Sequence, residues 1–137
     1  MNLKNEVEKV LTENQDWKIL ETDKSEYLLN EIIRKLEIRK TDVFPWETSI
    51  GRKTVQSYDD RWKHIMAEKF MSFGDEVTIV VTAEEVPDKW FFMQGNSMTG
   101  VGILEELPFF EYGLFSQTSM SKFLFDTHSN QLVEIEI

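Results

Sequence analysis

The hydrophobic period of this chain changes once, at Gly74, and that change limits the architectures open to it. Before Gly74 apolar residues return every three or four positions; after it they alternate. The first spacing builds amphipathic helices and the second half-buried strands. Helices first and sheet second predict an α+β fold, with N-terminal helices packed on one face of a C-terminal, mainly antiparallel sheet of about five strands. A length of 137 residues suits one domain, residues 1–137, with 1–73 mainly helical and 74–137 mainly sheet.

In the helical half, Leu3, Val7, Val10 and Leu11 share one side of a helix over about 2–13, followed by a turn with room for a short strand near Trp17. Asp23 and Glu26 have the spacing of a capping box, so the second helix is predicted over 24–38. Its core face would be Leu28, Leu29, Ile32, Ile33 and Leu36. Residues 41–56 read as an irregular connection, with Val43, Phe44 and Trp46 able to begin a strand and Arg52 and Lys53 in a turn. Ser57 is placed to cap a third helix over 58–70, with Trp62, Ile65, Met66 and Phe70 at helical spacing.

Beyond Gly74, Val77, Ile79 and Val81 alternate with polar residues. The acidic stretch Glu84, Glu85, Pro87 and Asp88 separates this strand from the apolar run at Trp90. Trp90, Phe91 and Phe92 are consecutive, so one of them must contact something other than a single sheet face. A weak helix stopped by Pro108 follows. Strands over 109–115, 122–127 and 132–137 complete the sheet as a meander.

Charge is distributed unevenly. Residues 1–70 hold 14 acidic and 13 basic side chains, whereas residues 71–137 hold 11 acidic and 2 basic, Lys89 and Lys122. With a net charge of -10, the chain is expected to bind neither nucleic acid nor an anionic membrane, and a basic protein is the partner its field favours. Strand alternation sets Glu134 and Glu136 opposite Val133, Ile135 and Ile137, Glu111 opposite Phe110, Tyr112 and Leu114, and Asp126 with Lys122 opposite Phe123 and Phe125. Glu111, Asp126, Glu134 and Glu136 are thereby expected on one acidic sheet surface, with Tyr112, His128 or Trp90 as an anchor. An antiparallel sheet with one solvated polar face accounts for the same pattern without a partner.

Zero cysteines exclude disulfides, iron–sulfur clusters, thiolate zinc sites and cysteine nucleophiles. His64 and His128 are too far apart in sequence to form a zinc motif, and neither a calcium loop nor a phosphate-binding glycine motif is present. No cofactor is expected. A hydrolase would have to use Asp126 to orient His128, although His128-Ser129-Asn130 is also ordinary turn chemistry. A small-ligand carrier would use a pocket between the helices and the aromatic sheet. The N-terminus lacks a signal-peptide pattern and no stretch is long and apolar enough to span a membrane, so a cytoplasmic location is expected.

Residues 89–135 add a resemblance. Trp90-Phe91-Phe92, then Phe109-Phe110-Glu111-Tyr112, then Lys122-Phe123-Leu124-Phe125-Asp126-Thr127-His128-Ser129-Asn130 and an apolar final strand resemble a family of small, largely uncharacterised bacterial domains. That family includes members grouped with the immunity proteins of polymorphic toxin systems. Its pattern carries Trp where this chain has Phe123 and a second His where it has Ser129, so a role for paired histidines does not carry over. The resemblance implies a non-catalytic antitoxin that neutralises a cognate toxin, such as a nuclease, through an acidic surface.

Overall fold

The computed structural model describes residues 3–39, 45–83, 86–107, 111–127 and 130–137. The elements in chain order are α1 (Leu3–Thr12), β1 (Trp17–Ile19), α2 (Thr22–Leu36), α3 (Pro45–Thr48), β2 (Arg52–Ser57), α4 (Trp62–Ser72), β3 (Glu76–Ala83) and β4 (Val86–Asn96). A 3-10 turn (Ser97–Thr99), α5 (Gly100–Glu106), β5 (Glu111–Phe115), β6 (Lys122–Asp126) and β7 (Gln131–Glu136) complete the chain. The fold is α+β as expected. Its sheet has seven strands in the order β1-β4-β3-β5-β6-β7-β2, every neighbouring pair antiparallel.

The five strands predicted after Gly74 are present, and the other two come from the helical half, one at each edge of the sheet. β1 pairs with β4, Trp17 opposite Gly95, and β2 pairs with β7 along six residues. Arg52 and Lys53, expected in a turn, belong to β2. All six side chains of this strand are exposed, so no burial pattern marked it in the sequence. Its structure rests on backbone pairing to β7. The final three strands form the predicted meander, but β5 lies beside β3 rather than β4, because α5 carries the chain back across β3.

Helices cover both sheet faces, not one. Leu28, Ile32 and Leu36 of α2 pack with Val80, Phe92, Phe115, Phe123, Phe125, Val133 and Ile135. On the other face, Val7 and Val10 of α1, Met66 and Phe70 of α4, and Ile103 and Leu104 of α5 pack with Val77, Ile79, Val81, Met93, Leu114, Leu124 and Leu132. Consecutive apolar residues such as Ile79-Val80-Val81 therefore serve two cores in alternation, as in sheets buried on both sides. The requirement that the Trp90 run contact more than one layer is met in the same way: Phe92 and Trp90 face α2, while Phe91 faces the other core.

Two helix starts differ from expectation. The capping box at Asp23 does not form: α2 begins at Thr22, Glu21 is its N-cap, and no side chain caps it. Asp23 lies inside the first turn, where its charge suits the helix dipole. Ser57 ends β2 and caps nothing; α4 starts at Trp62 after Asp59 turns the chain by accepting the Arg61 backbone N–H at 3.0 Å. The C-terminus of α2 closes on Glu37 in the left-handed conformation, φ 53°, with the N–H of Ile38 reaching the Ile33 carbonyl. Val43, Phe44, Glu84, Glu85, Pro108, Phe109, Phe110, His128 and Ser129 lie outside the described residues.

Candidate functional site

At one end of the sheet, even-numbered residues of β5 and β6 face the α1/α4/α5 side, which brings Tyr112 and Asp126 together. The Tyr112 hydroxyl donates to Asp126 Oδ2 at 2.6 Å. Tyr58, just past β2, donates to Oδ1 at 2.7 Å. Trp62, the first residue of α4, sits beside the Tyr112 hydroxyl, where its side-chain N–H works against the upward push on that phenol. The carboxylate is buried and receives two phenol hydrogens, a charge-assisted arrangement stronger than neutral hydrogen bonds. Burial and then the Asp126 hydrogen bond and charge push the Tyr58 phenol well above its ordinary range. For Tyr112, burial leads, followed by the Asp126 charge and hydrogen bond. Both tyrosines therefore act as protonated donors, and the cluster works as a latch between β2, β5, β6 and α4. Tyr58 and Trp62 were missed in the sequence because no short-range spacing links them to a carboxylate 68 residues from Tyr58.

The expected common acidic surface divides. Glu111 is buried on the α2 face, whereas Asp126, Glu134 and Glu136 alternate onto the opposite one. Glu134 binds Lys69 of α4 at 2.8 Å, with both side chains largely covered, and Glu136 pairs with Arg52 of β2. Lys122 stands 4.4 Å over the Phe73 ring. The sequence could not show that α4 and β2 bring cations to these carboxylates. Trp90 is half-buried against the α2 core. There the Phe115 ring lies 6.2 Å from Phe92 and 5.6 Å from Phe123, so aromatic and aliphatic side chains occupy the ground between α2 and these strands.

The opposite end of the sheet carries a cleft of about 320 Å³ lined by Asp16, Asp75 and Glu76, together with Trp17, Gln94 and Asn96 and, as the one cation among the described residues, Lys18. Trp17 lies across Gly95; a Cβ there would meet the indole at 2.2 Å. The indole N–H donates to Thr99 Oγ1 at 2.8 Å, and Thr99 donates to Asp16 at 2.6 Å. Gln94 donates to Glu76 at 3.0 Å and accepts from Gln117 at 2.8 Å, while Gln117 also donates to Thr78. Two of the three carboxylates are thus oriented by relays rooted in the sheet. Asp75 is exposed and has no side-chain partner among the described residues.

Among the described residues no group of three or more His, Cys, Asp or Glu is arranged to hold a metal ion. No helix among the described residues is long and apolar enough to cross a membrane. No protein-family model, no curated protein and no solved structure matches the chain.

Proposed function

We propose that this chain is a non-catalytic binding protein that holds a basic protein partner at the acidic cleft, in the manner of an immunity protein neutralising a toxin with a cationic, phosphate-binding surface. The observation that carries this reading is the convergence of Asp16, Asp75 and Glu76 on one concave surface, two of them held in place by hydrogen-bond relays. Pre-oriented acceptors lose little freedom on binding, and a single-sign field raises the association rate.

The reading moves the contact from the last three strands to the β1/β3/β4 end, because Asp126, Glu134 and Glu136 already have partners within the chain. Asp126 is also poorly placed as the orienting group of a hydrolase, since both its oxygens accept phenols.

The test compares the wild-type chain with an Asp75→Lys/Glu76→Lys variant as bait in extracts of the native source, followed by kinetics with the purified partner. A basic protein captured by the wild type should associate at least ten-fold more slowly with the variant, and its wild-type rate should fall with salt. Equal rates for both baits, or a rate indifferent to salt, would remove the cleft from the interface. Loss of the partner's toxicity on co-expression with the wild type, and not with the variant, would establish neutralisation.

A further inference from the structure

The two edges of the sheet are finished differently. β1 is three residues long, and a short edge strand is one way that proteins avoid edge-to-edge pairing. β2 is six residues long, pairs with β7 without a bulge, and is exposed along its whole length. Its backbone polarity follows from the ladder. Tyr58 donates its backbone N–H to the Asn130 carbonyl at 2.9 Å, so Arg52, Thr54 and Gln56 bond to β7. Lys53, Val55 and Ser57 then turn their N–H and C=O groups outward. Among the described residues nothing pairs with them.

We propose that this edge is a self-association site, at which two copies of the chain join β2 to β2 antiparallel about a two-fold axis through Val55. Closing the hydrogen bonds requires outward residues to meet one another, and among the registers that do so the one centred on Val55 also brings the exposed valines of the two copies together. This register places Val55 opposite Val55 of the second copy and Lys53 opposite Ser57, with Thr54 opposite Gln56 in the intervening pair. No like charges face each other directly, and the one exposed apolar side chain of the strand, Val55 at 56% exposure, meets its own copy. Isologous contacts require this self-complementarity.

The sheet behind the edge is continuous with such a contact. Phe92, Val80, Gly113, Phe125, Val133 and Val55 form one cross-strand row on the α2 face. At Gly113 the Phe125 ring occupies the place of a side chain, 2.6 Å from where a Cβ would stand. Pairing at Val55 would extend this row across the axis into the second copy. Lys53, a residue type that commonly guards edges, is placed beside a small hydroxyl instead of a cation. The proposal is independent of the acidic cleft, which lies beyond β3 and β4 at the far side of the sheet.

Sedimentation of the full chain over a series from micromolar to millimolar tests it. The weight-average mass should rise toward twice the monomer value. Val55→Lys, which sets two cations across the axis, should hold it at the monomer value with an unchanged circular dichroism spectrum. The absence of native cysteine gives a second measurement that requires no dissociation constant. Opposed residues in a hydrogen-bonded antiparallel pair lie about 5.5 Å apart at Cα, within disulfide reach. Val55→Cys should therefore oxidise to a covalent dimer at least ten-fold faster than Thr54→Cys, whose copies are displaced from each other in this register. A wild type that stays monomeric throughout, or equal cross-linking of the two cysteine variants, would overturn the proposal. So would binding of an unrelated acidic extended peptide at β2 with no self-association.

Discussion

Tyr112 donates its phenol hydrogen to Asp126 at 2.6 Å from the neighbouring strand, and that bond ends the sheet on a buried carboxylate where an apolar pair would otherwise stand. A hydrogen bond to a charged group contributes about 1.5–3 kcal/mol, and a buried acceptor stripped of its donor costs a similar amount. Tyr112→Phe should thus destabilise the fold by about 1.5–3 kcal/mol in urea denaturation. Tyr58→Phe, nearer the surface, should cost about 1 kcal/mol, and the double variant should depart from the sum, because the two phenols share one carboxylate.

The same latch sets the alkaline limit of stability. Both phenols have folded-state pKa values raised above the ordinary phenol value of about 10. Their contribution is fully present below pH about 10 and declines as pH rises toward the folded-state values, because the unfolded chain releases those protons first. In a pH-jump titration followed by tyrosinate absorbance, part of the signal should appear only with unfolding. That late part should shrink in Tyr112→Phe.

Charge reversal at Glu134 is a stability experiment rather than an interface experiment. Glu134→Lys would place an ammonium against Lys69 at a site where both side chains are largely covered, and should cost about 2–4 kcal/mol by leaving like charges partly desolvated. Lys69→Glu combined with Glu134→Lys should recover part of it. No recovery in the swapped pair would show that the orientation of α4, and not the ion pair, sets the cost.

Glu37 occupies a left-handed position, φ 53°, with its side chain exposed. Non-glycine residues there carry roughly 1 kcal/mol of strain. Glu37→Gly should raise stability by about 0.5–1 kcal/mol, an unusual gain from removing a side chain. A thermal melt showing a loss would mean that the Glu37 side chain contributes more than its conformation costs.

Gly95→Ala should act in the other direction. The added methyl would sit inside the Trp17 indole, so the ring must lift away from β4. Overpacking of this kind costs about 1–3 kcal/mol. The displaced indole would also break the relay through Thr99 to Asp16, so under the proposed function the affinity for a basic protein should fall together with the melting temperature.

What was legible in the sequence followed burial. α2 announced itself through Leu28, Ile32 and Leu36, and β3 through Val77, Ile79 and Val81, because each buries a periodic set. β2 was illegible because Arg52 to Ser57 bury nothing, so neither period appears. The second covered face was present in the sequence as runs of adjacent apolar residues, Ile79-Val80-Val81 and Phe123-Leu124-Phe125. Alternation applied to the last strands turned those runs into a single inner face and left the carboxylates outside. The relays at Asp126 and Asp16 join residues 68 and 83 positions apart, and only the fold brings such groups together.

Each edge strand is made long before the strand it pairs with. Arg52 of β2 meets Glu136 of β7 across 84 residues, and Trp17 of β1 stands opposite Gly95 of β4. During synthesis the N-terminal half therefore emerges with β1 and β2 unpaired, and neither can dock until the central strands have formed. Long-range closure of this kind slows folding and prolongs the exposure of bare backbone. Arg52-Lys53-Thr54-Val55-Gln56-Ser57, charged, hydroxylated and with one apolar residue, exposes little apolar surface during that interval. The feature that hid β2 from hydrophobic pattern reading thus also leaves it without an apolar face to cover until β7 arrives.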